Sequence, residues 1–154
     1  MRTPAELLPH QAPMIFISSI RSFDMKKGIL LAHTHIQKSD VLYQKSLNGV
    51  PAYSALEYMA QAIGCFVGIY DLEQDPDQKP GVGFVLGSRK LQIRRPVLLA
   101  DEDYCIQINA LFCDENLASF ECIMYNEKTN EEFANAIINA YRPENIDTFM
   151  KDYT

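Results

Sequence analysis

Glu57 is the only charged residue in the stretch VPAYSALEYMAQAIGCFVGIYDL (50–72) before Asp71, and Gln61 follows it one helical turn later. Apolar residues lie all round this helical segment, which predicts burial on every side. Burial disfavours the charged form of a carboxyl group and moves it toward general-acid use. The competing reading is structural, with Glu57 paired to Gln61 or to an arginine from another strand. His10 follows Pro9 and lies two residues from Ala12-Pro13, a stiff segment that fixes a side chain. Unperturbed imidazole titrates near pH ~6.5, so His10 suits proton abstraction if the segment reaches the helix; otherwise it caps backbone in a turn. His33 and His35, two apart on one predicted strand, share a face, but no third ligand lies near them in sequence and no metal site is expected. Arg89, Lys90, Arg94 and Arg95 form the basic cluster of an otherwise acidic chain.

These groups need a scaffold, and the hydrophobic pattern supplies one. Met14–Ile20 and Gly28–Gln37 read as two strands of a hairpin around FDMKKG. The long helix follows, and DLEQDPDQKPG ends it, since a helix does not continue past Pro76. Val82–Leu86, Lys90–Arg95, Tyr104–Phe112, Leu117–Tyr125 and Glu132–Tyr141 read as strands. In the third, Tyr104, Ile106, Ile108, Ala110 and Phe112 alternate with Cys105, Gln107 and Asn109, so one face is buried and one is wetter. CDEN and NEKTNE are short polar connectors suited to antiparallel neighbours. The resulting class is α+β, a long central helix wrapped by a curved antiparallel sheet. Ala60, Gly64 and Gly68 recur every fourth residue and give the helix a smooth stripe, read as small residues fitting a crowded core.

The 154 residues fit one domain, 1–154. With 47% hydrophobic and 22% charged residues the chain has a globular composition, and a net charge of −6 argues against nucleic acid or an anionic membrane as partner. Glu57, Gln61, Ser54 and the tyrosines make the long helix too polar for a membrane span. The N-terminal MRTPAELLPHQAP has no apolar signal core, which predicts a cytoplasmic location. Cys65, Cys105, Cys113 and Cys122 fall at no metal-ligand spacing and are read as reduced.

Three segments in order, LPHQAPMIF, PAYSALEYMAQAIG and KLQIRRPVLLAD, carry a resemblance. The sequence resembles the single-domain 3-hydroxyacyl-acyl-carrier-protein dehydratases of the hotdog fold, and within them the divergent branch found with aryl-polyene biosynthesis. The resemblance implies a curved sheet around the helix and paired chains whose sheets become continuous. It also implies an active site at the dimer interface, where a histidine of one subunit faces an acidic helix residue of the other. Glu57 matches that acidic position. The histidine of the family's loop before the helix is missing from VLYQKSLNGVPAYSALE, where ungapped counting places Tyr43. The base is then one of His10, His33 and His35, or there is none.

The implied reaction is dehydration of a carrier-bound 3-hydroxyacyl thioester to the trans-2-enoyl thioester, in fatty-acid-like or polyene biosynthesis and without a cofactor. It needs a base for the α-proton, an acid for the hydroxyl and donors for the thioester oxygen. Glu57 is the expected acid and His10 the expected base, with Gln61 orienting Glu57. Pro51 opens the helix, and the amides of Ala52 and Tyr53 are the expected oxyanion donors. Arg89, Lys90, Arg94 and Arg95 would dock the acidic carrier protein with its phosphopantetheine-linked acyl chain; the alternative is a strand edge protected by charge. Two rivals remain open. One is a noncatalytic or partner-dependent acyl-binding subunit, in a heterodimer rather than a homodimer, completed by a second hotdog protein; the other is a thioesterase in which Glu57 activates water. Phe16, Tyr53, Tyr58, Phe66 and Phe84 fit either a tunnel lining or plain core packing.

Overall fold

A computed structural model describes residues 2–79, 81, 84–114 and 116–141, with residues 84–86 described by their backbone alone. A short helix α1 (Pro4–Leu7) precedes the hairpin β1 (Ser19–Asp24) and β2 (Ile29–His35). Then come β3 (Gly49–Pro51), a 3-10 turn at Ala52–Ser54 and the central helix α2 (Ala55–Gln74). The chain finishes with β4 (Phe84–Ile93), β5 (Val97–Leu99), β6 (Asp103–Cys113), β7 (Leu117–Asn126) and β8 (Glu132–Tyr141). The main sheet has six strands in the order β1-β2-β6-β7-β8-β4, and every neighbouring pair is antiparallel. β3 and β5 pair separately as a small two-stranded sheet beneath the start of α2.

Alternation along the strands decides which face meets the helix. Ala32, Ile106, Met124 and Ala134 form one cross-strand row, and Leu30, Ile108, Cys122 and Ala136 form the next; all are buried. With Tyr58, Met59, Ala62 and Phe66 of α2 they make the core, each large side chain contributing roughly 1.5–3 kcal/mol by burial. His33 and His35 occupy the intervening positions and therefore face away from α2. Register irregularities between Ile20 and Ser22, Arg89 and Gln92, Ala110 and Phe112, and Met124 and Tyr125 bend the strands, which lets the sheet curl around a helix about 30 Å long.

Several boundaries differ from the sequence reading. Residues 50–54 are not α-helical, because Gly49–Pro51 pairs with Val97–Leu99, a 3-10 turn follows at Ala52–Ser54, and the α-helix starts at Ala55. The strand expected at Met14–Ile20 is displaced to Ser19–Asp24, since the Met14 carbonyl and Phe16 amide bond the Gln61 side chain rather than a neighbouring strand. The expected strands at 82–86 and 90–95 are parts of one strand, β4, interrupted where Lys90 adopts φ 54°; the residues expected to open the first of them, Val82 and Gly83, lie outside the described residues. The helix is also not buried all round. Glu57 is 47% exposed, and Tyr53 and Tyr70 project outward. No helix among the described residues is long and apolar enough to cross a membrane.

Candidate active site

The exposed side of α2 forms one wall of a cavity of about 880 Å³. Its lining runs from His10 and Glu57 past Ala60, Gly64 and Val67 to Asp71, and continues over Cys113, Leu117 and Phe120 of the sheet. Fourteen helical residues separate Glu57 from Asp71, so the wall extends about 21 Å. Of the five aromatic residues considered for a tunnel, Phe66 lines this space. Phe16 and Tyr58 pack on each other with ring centroids 5.4 Å apart, Tyr53 is 71% exposed, and the Phe84 side chain lies outside the described residues.

Two straps bring His10 to the mouth of the cavity. Upstream, α1 and Leu8 lie across the small-residue stripe of α2. A methyl group added at Gly68 would sit 2.5 Å from the Leu7 carbonyl oxygen, and one at Gly64 would sit 2.7 Å from Leu8 Cδ2. At Gly68 only hydrogen allows that approach, because the obstacle is backbone, whereas at Gly64 it is the end of a side chain. Downstream, the chain turns through Pro13 and is pinned by buried Gln61. Its Oε1 accepts from the Phe16 amide at 2.8 Å, and its Nε2 donates to the Met14 carbonyl at 2.7 Å. Between the straps His10 Nε2 stands 3.9 Å from Glu57 Oε1, and Gln61 Nε2 donates to that same oxygen at 3.3 Å. His10 Nδ1 is buried and has no hydrogen-bond partner among the described residues.

His10, Glu57 and Gln61 thus converge within one chain, whereas the resemblance implied a histidine and an acidic residue on different subunits. Other expected site residues do not. His33 and His35 face away from the helix and share one acceptor, Asp103 Oδ1, at 2.7 and 3.0 Å; His33 Nδ1 meets Ser19 Oγ at 3.1 Å. Those hydrogen bonds, His33's first, hold the Asp103 carboxyl below its usual range. No cluster among the described residues is suited to a metal ion. Tyr43 donates to Asn48 Oδ1 at 3.1 Å, within its own loop. The Ala52 amide, expected to be free, donates to the Pro96 carbonyl at 3.0 Å because β3 continues its pairing with the segment before β5. The exposure of Glu57 removes the burial argument for its acidity in the isolated chain. The basic cluster is half neutralised, since Arg94 is bonded to Glu132 and Arg95 to Glu131. Arg89 and Lys90 have no ion-pair partner among the described residues.

The thiols are poorly suited to nucleophilic work. Burial pushes Cys65 and Cys122 up to about 12, and burial with a bond to Glu127 pushes Cys105 to about 11. Cys113, on the cavity wall, is shifted upward by burial as well. All four are free thiols, as expected. Sequence reasoning missed the role of Leu7 and Leu8 as a strap and the far end of the cavity. The glycine stripe was a visible signal for the first; no local pattern announced the second.

Residues 2–151 match the ApeP-like family, described as ApeP dehydratase. The chain belongs to this family. Among individual relatives, the ApeP-like chain is 32% identical to a 3-hydroxyacyl-[acyl-carrier-protein] dehydratase FabZ of Chlamydia trachomatis over 98 residues, 62% of each chain. It therefore spans less than two thirds of the length of the curated relatives it matches. Among solved structures, the ApeI:P dehydratase heterocomplex from Xenorhabdus doucetiae superposes with a TM-score of 0.88 at 22% identity, covering 100% of this chain and 99% of the other. A hypothetical thioesterase from Streptococcus pneumoniae, solved with coenzyme A, superposes at 0.59 with 11% identity over 81% of this chain and 84% of the other. These neighbours place the ApeP-like chain in the hotdog fold expected from its sequence.

Proposed function

We propose that the chain removes water from 3-hydroxyacyl thioesters borne on an acyl carrier protein, leaving trans-2-enoyl thioesters, as a single cytoplasmic hotdog domain (1–154) serving aryl-polyene or fatty-acid-like biosynthesis. The observation that carries this reading is the imidazole and carboxyl group 3.9 Å apart at the mouth of an apolar cavity. A β-elimination takes a proton from C2 and returns one to the C3 hydroxyl, so it needs two proton-handling steps at neighbouring carbons. His10 and Glu57 supply groups for both, and the cavity along α2 accommodates the acyl tail. Membership of a dehydratase family and the FabZ relatives support the same chemistry.

The thioester oxygen needs hydrogen-bond donors. With the Ala52 amide committed to Pro96, the Tyr53 amide is the donor remaining from the expected pair. This favours a second reading of the assembly, in which a further hotdog chain, a copy or a related protein, completes the site. The ApeI:P heterocomplex is a precedent among similar structures, and β4, ten residues long at the sheet edge, is available to continue a sheet across two chains. Arg89 and Lys90 on that strand are the groups we assign to carrier docking.

The test is incubation of the purified chain, alone and with a candidate hotdog partner, with a 3-hydroxyacyl carrier thioester, followed by mass spectrometry of the carrier. Loss of 18 Da from the carrier-bound acyl group, the mass of one water, is the expected result. Free thiol and free acid would instead establish a thioesterase, and an unchanged substrate in both incubations would overturn the proposal.

A further inference from the structure

Which group takes the proton from C2 is decided by how three side chains share their hydrogens. Gln61 has no freedom to flip, because its Oε1 takes a backbone N–H and its Nε2 gives to a backbone carbonyl. The amide therefore turns an N–H, not a lone pair, toward Glu57 Oε1. His10 offers a second constraint. A proton on its buried Nδ1 would find no acceptor among the described residues, whereas a bare lone pair there leaves no N–H unsatisfied. The ring proton consequently belongs on Nε2, the nitrogen that faces the same Glu57 oxygen. Both neighbours present hydrogens to Oε1, the arrangement that suits an ionised carboxylate.

We infer that Glu57 is the base and carries the proton through the whole elimination, while His10 stays neutral and acts as an Nε2–H hydrogen-bond donor. This inference rests on the dehydratase reading of the site and reverses the roles expected from sequence. In the step itself, a Glu57 carboxylate oxygen takes the C2 proton, the C2–H electron pair becomes the C2=C3 π bond, and the C3–O bond breaks. The Glu57 carboxyl then gives the same proton to the departing oxygen, which leaves as water. The carboxylate is restored and His10 ends as it began. The 3.9 Å gap between the two groups leaves the Nε2–H free to bond the substrate oxygen rather than the carboxylate.

His10→Gln separates the alternatives, because a glutamine amide can place an N–H near the Nε2 position but cannot accept a proton as a base. Turnover of wild type, His10→Gln, His10→Ala and Glu57→Gln is measured in whichever assembly is active, with thermal melts showing that each variant is folded. Expected are retention of at least about a tenth of wild-type kcat in His10→Gln, a loss of about 100-fold in His10→Ala, and a loss of about 1,000-fold or more in Glu57→Gln. A folded His10→Gln as inactive as Glu57→Gln would overturn the inference while leaving the dehydratase reading standing. Long-range ¹⁵N NMR of the His10 ring reads the tautomer without turnover: an Nε2–H ring supports the inference, and an Nδ1–H or doubly protonated ring at neutral pH overturns it. A wild type that dehydrates nothing, alone or with a partner, would overturn the reading of the site and this inference with it.

Discussion

At Gly64 and Gly68 an added methyl group meets two different obstacles. At Gly68 it runs into the Leu7 carbonyl oxygen, part of the backbone, while at Gly64 it meets the end of the Leu8 side chain. Gly68→Ala should therefore push α1 off the helix, costing about 1–3 kcal/mol and lowering turnover by shifting His10. Gly64→Ala should be close to neutral, since a leucine methyl can turn aside and alanine favours the helix by about 1 kcal/mol. Urea midpoints and kcat for the two variants check the contrast. Gln61→Leu keeps the bulk but strands the Met14 carbonyl and the Phe16 amide; a loss of about 1–3 kcal/mol is expected, with a fall in kcat as the downstream strap loosens. Glu57, Gln61 and His10 were legible in the sequence because residue type, spacing and flanking prolines are local facts. The commitment of the Ala52 amide was not, because its acceptor, Pro96, is brought up only by the pairing of β3 with β5.

Among the elements, β2 and β6 are joined on their outer face by Asp103, whose carboxylate accepts from both His33 and His35. Its acidity is strengthened chiefly by the bond from His33. A carboxyl group made more acidic by folding contributes stability above its unfolded value of 3.8, and that stability is lost as pH falls through the lower folded value. Asp103→Asn should accordingly lower stability above about pH 4 and flatten the loss seen on acidification below it. Urea titrations at stepped pH would show the two curves converging at the acid end, whereas parallel curves would contradict the linkage. The strands β6, β7 and β8 were readable from their alternation. β1 was displaced because the residues before it are held by the Gln61 side chain, β5 was overlooked because its partner β3 is distant in sequence, and β4 was divided in two because its irregularity looks like a break to any local pattern.

For the molecule as a whole, the proposed function asks an acidic chain to receive an acidic carrier. Arg94 and Arg95 are already occupied by Glu132 and Glu131, so the proposed docking charge falls to Arg89 and Lys90. Charge reversal at both, Arg89→Glu with Lys90→Glu, should raise KM for carrier-bound substrate several-fold and weaken its salt dependence, leaving kcat on a small thioester unchanged. A larger consequence follows from the two straps. They fix the imidazole and the carboxyl group on the same polypeptide, unlike an arrangement in which each subunit lends half of a site to its neighbour. Chains defective at Glu57 and chains defective at His10 would then fail to rescue one another when mixed, and a dead copy would silence its own site without poisoning the neighbour's. Activity in a mixed population would decline in proportion to the fraction of damaged chains, a genetic behaviour in which defects remain recessive and private to the molecule that bears them.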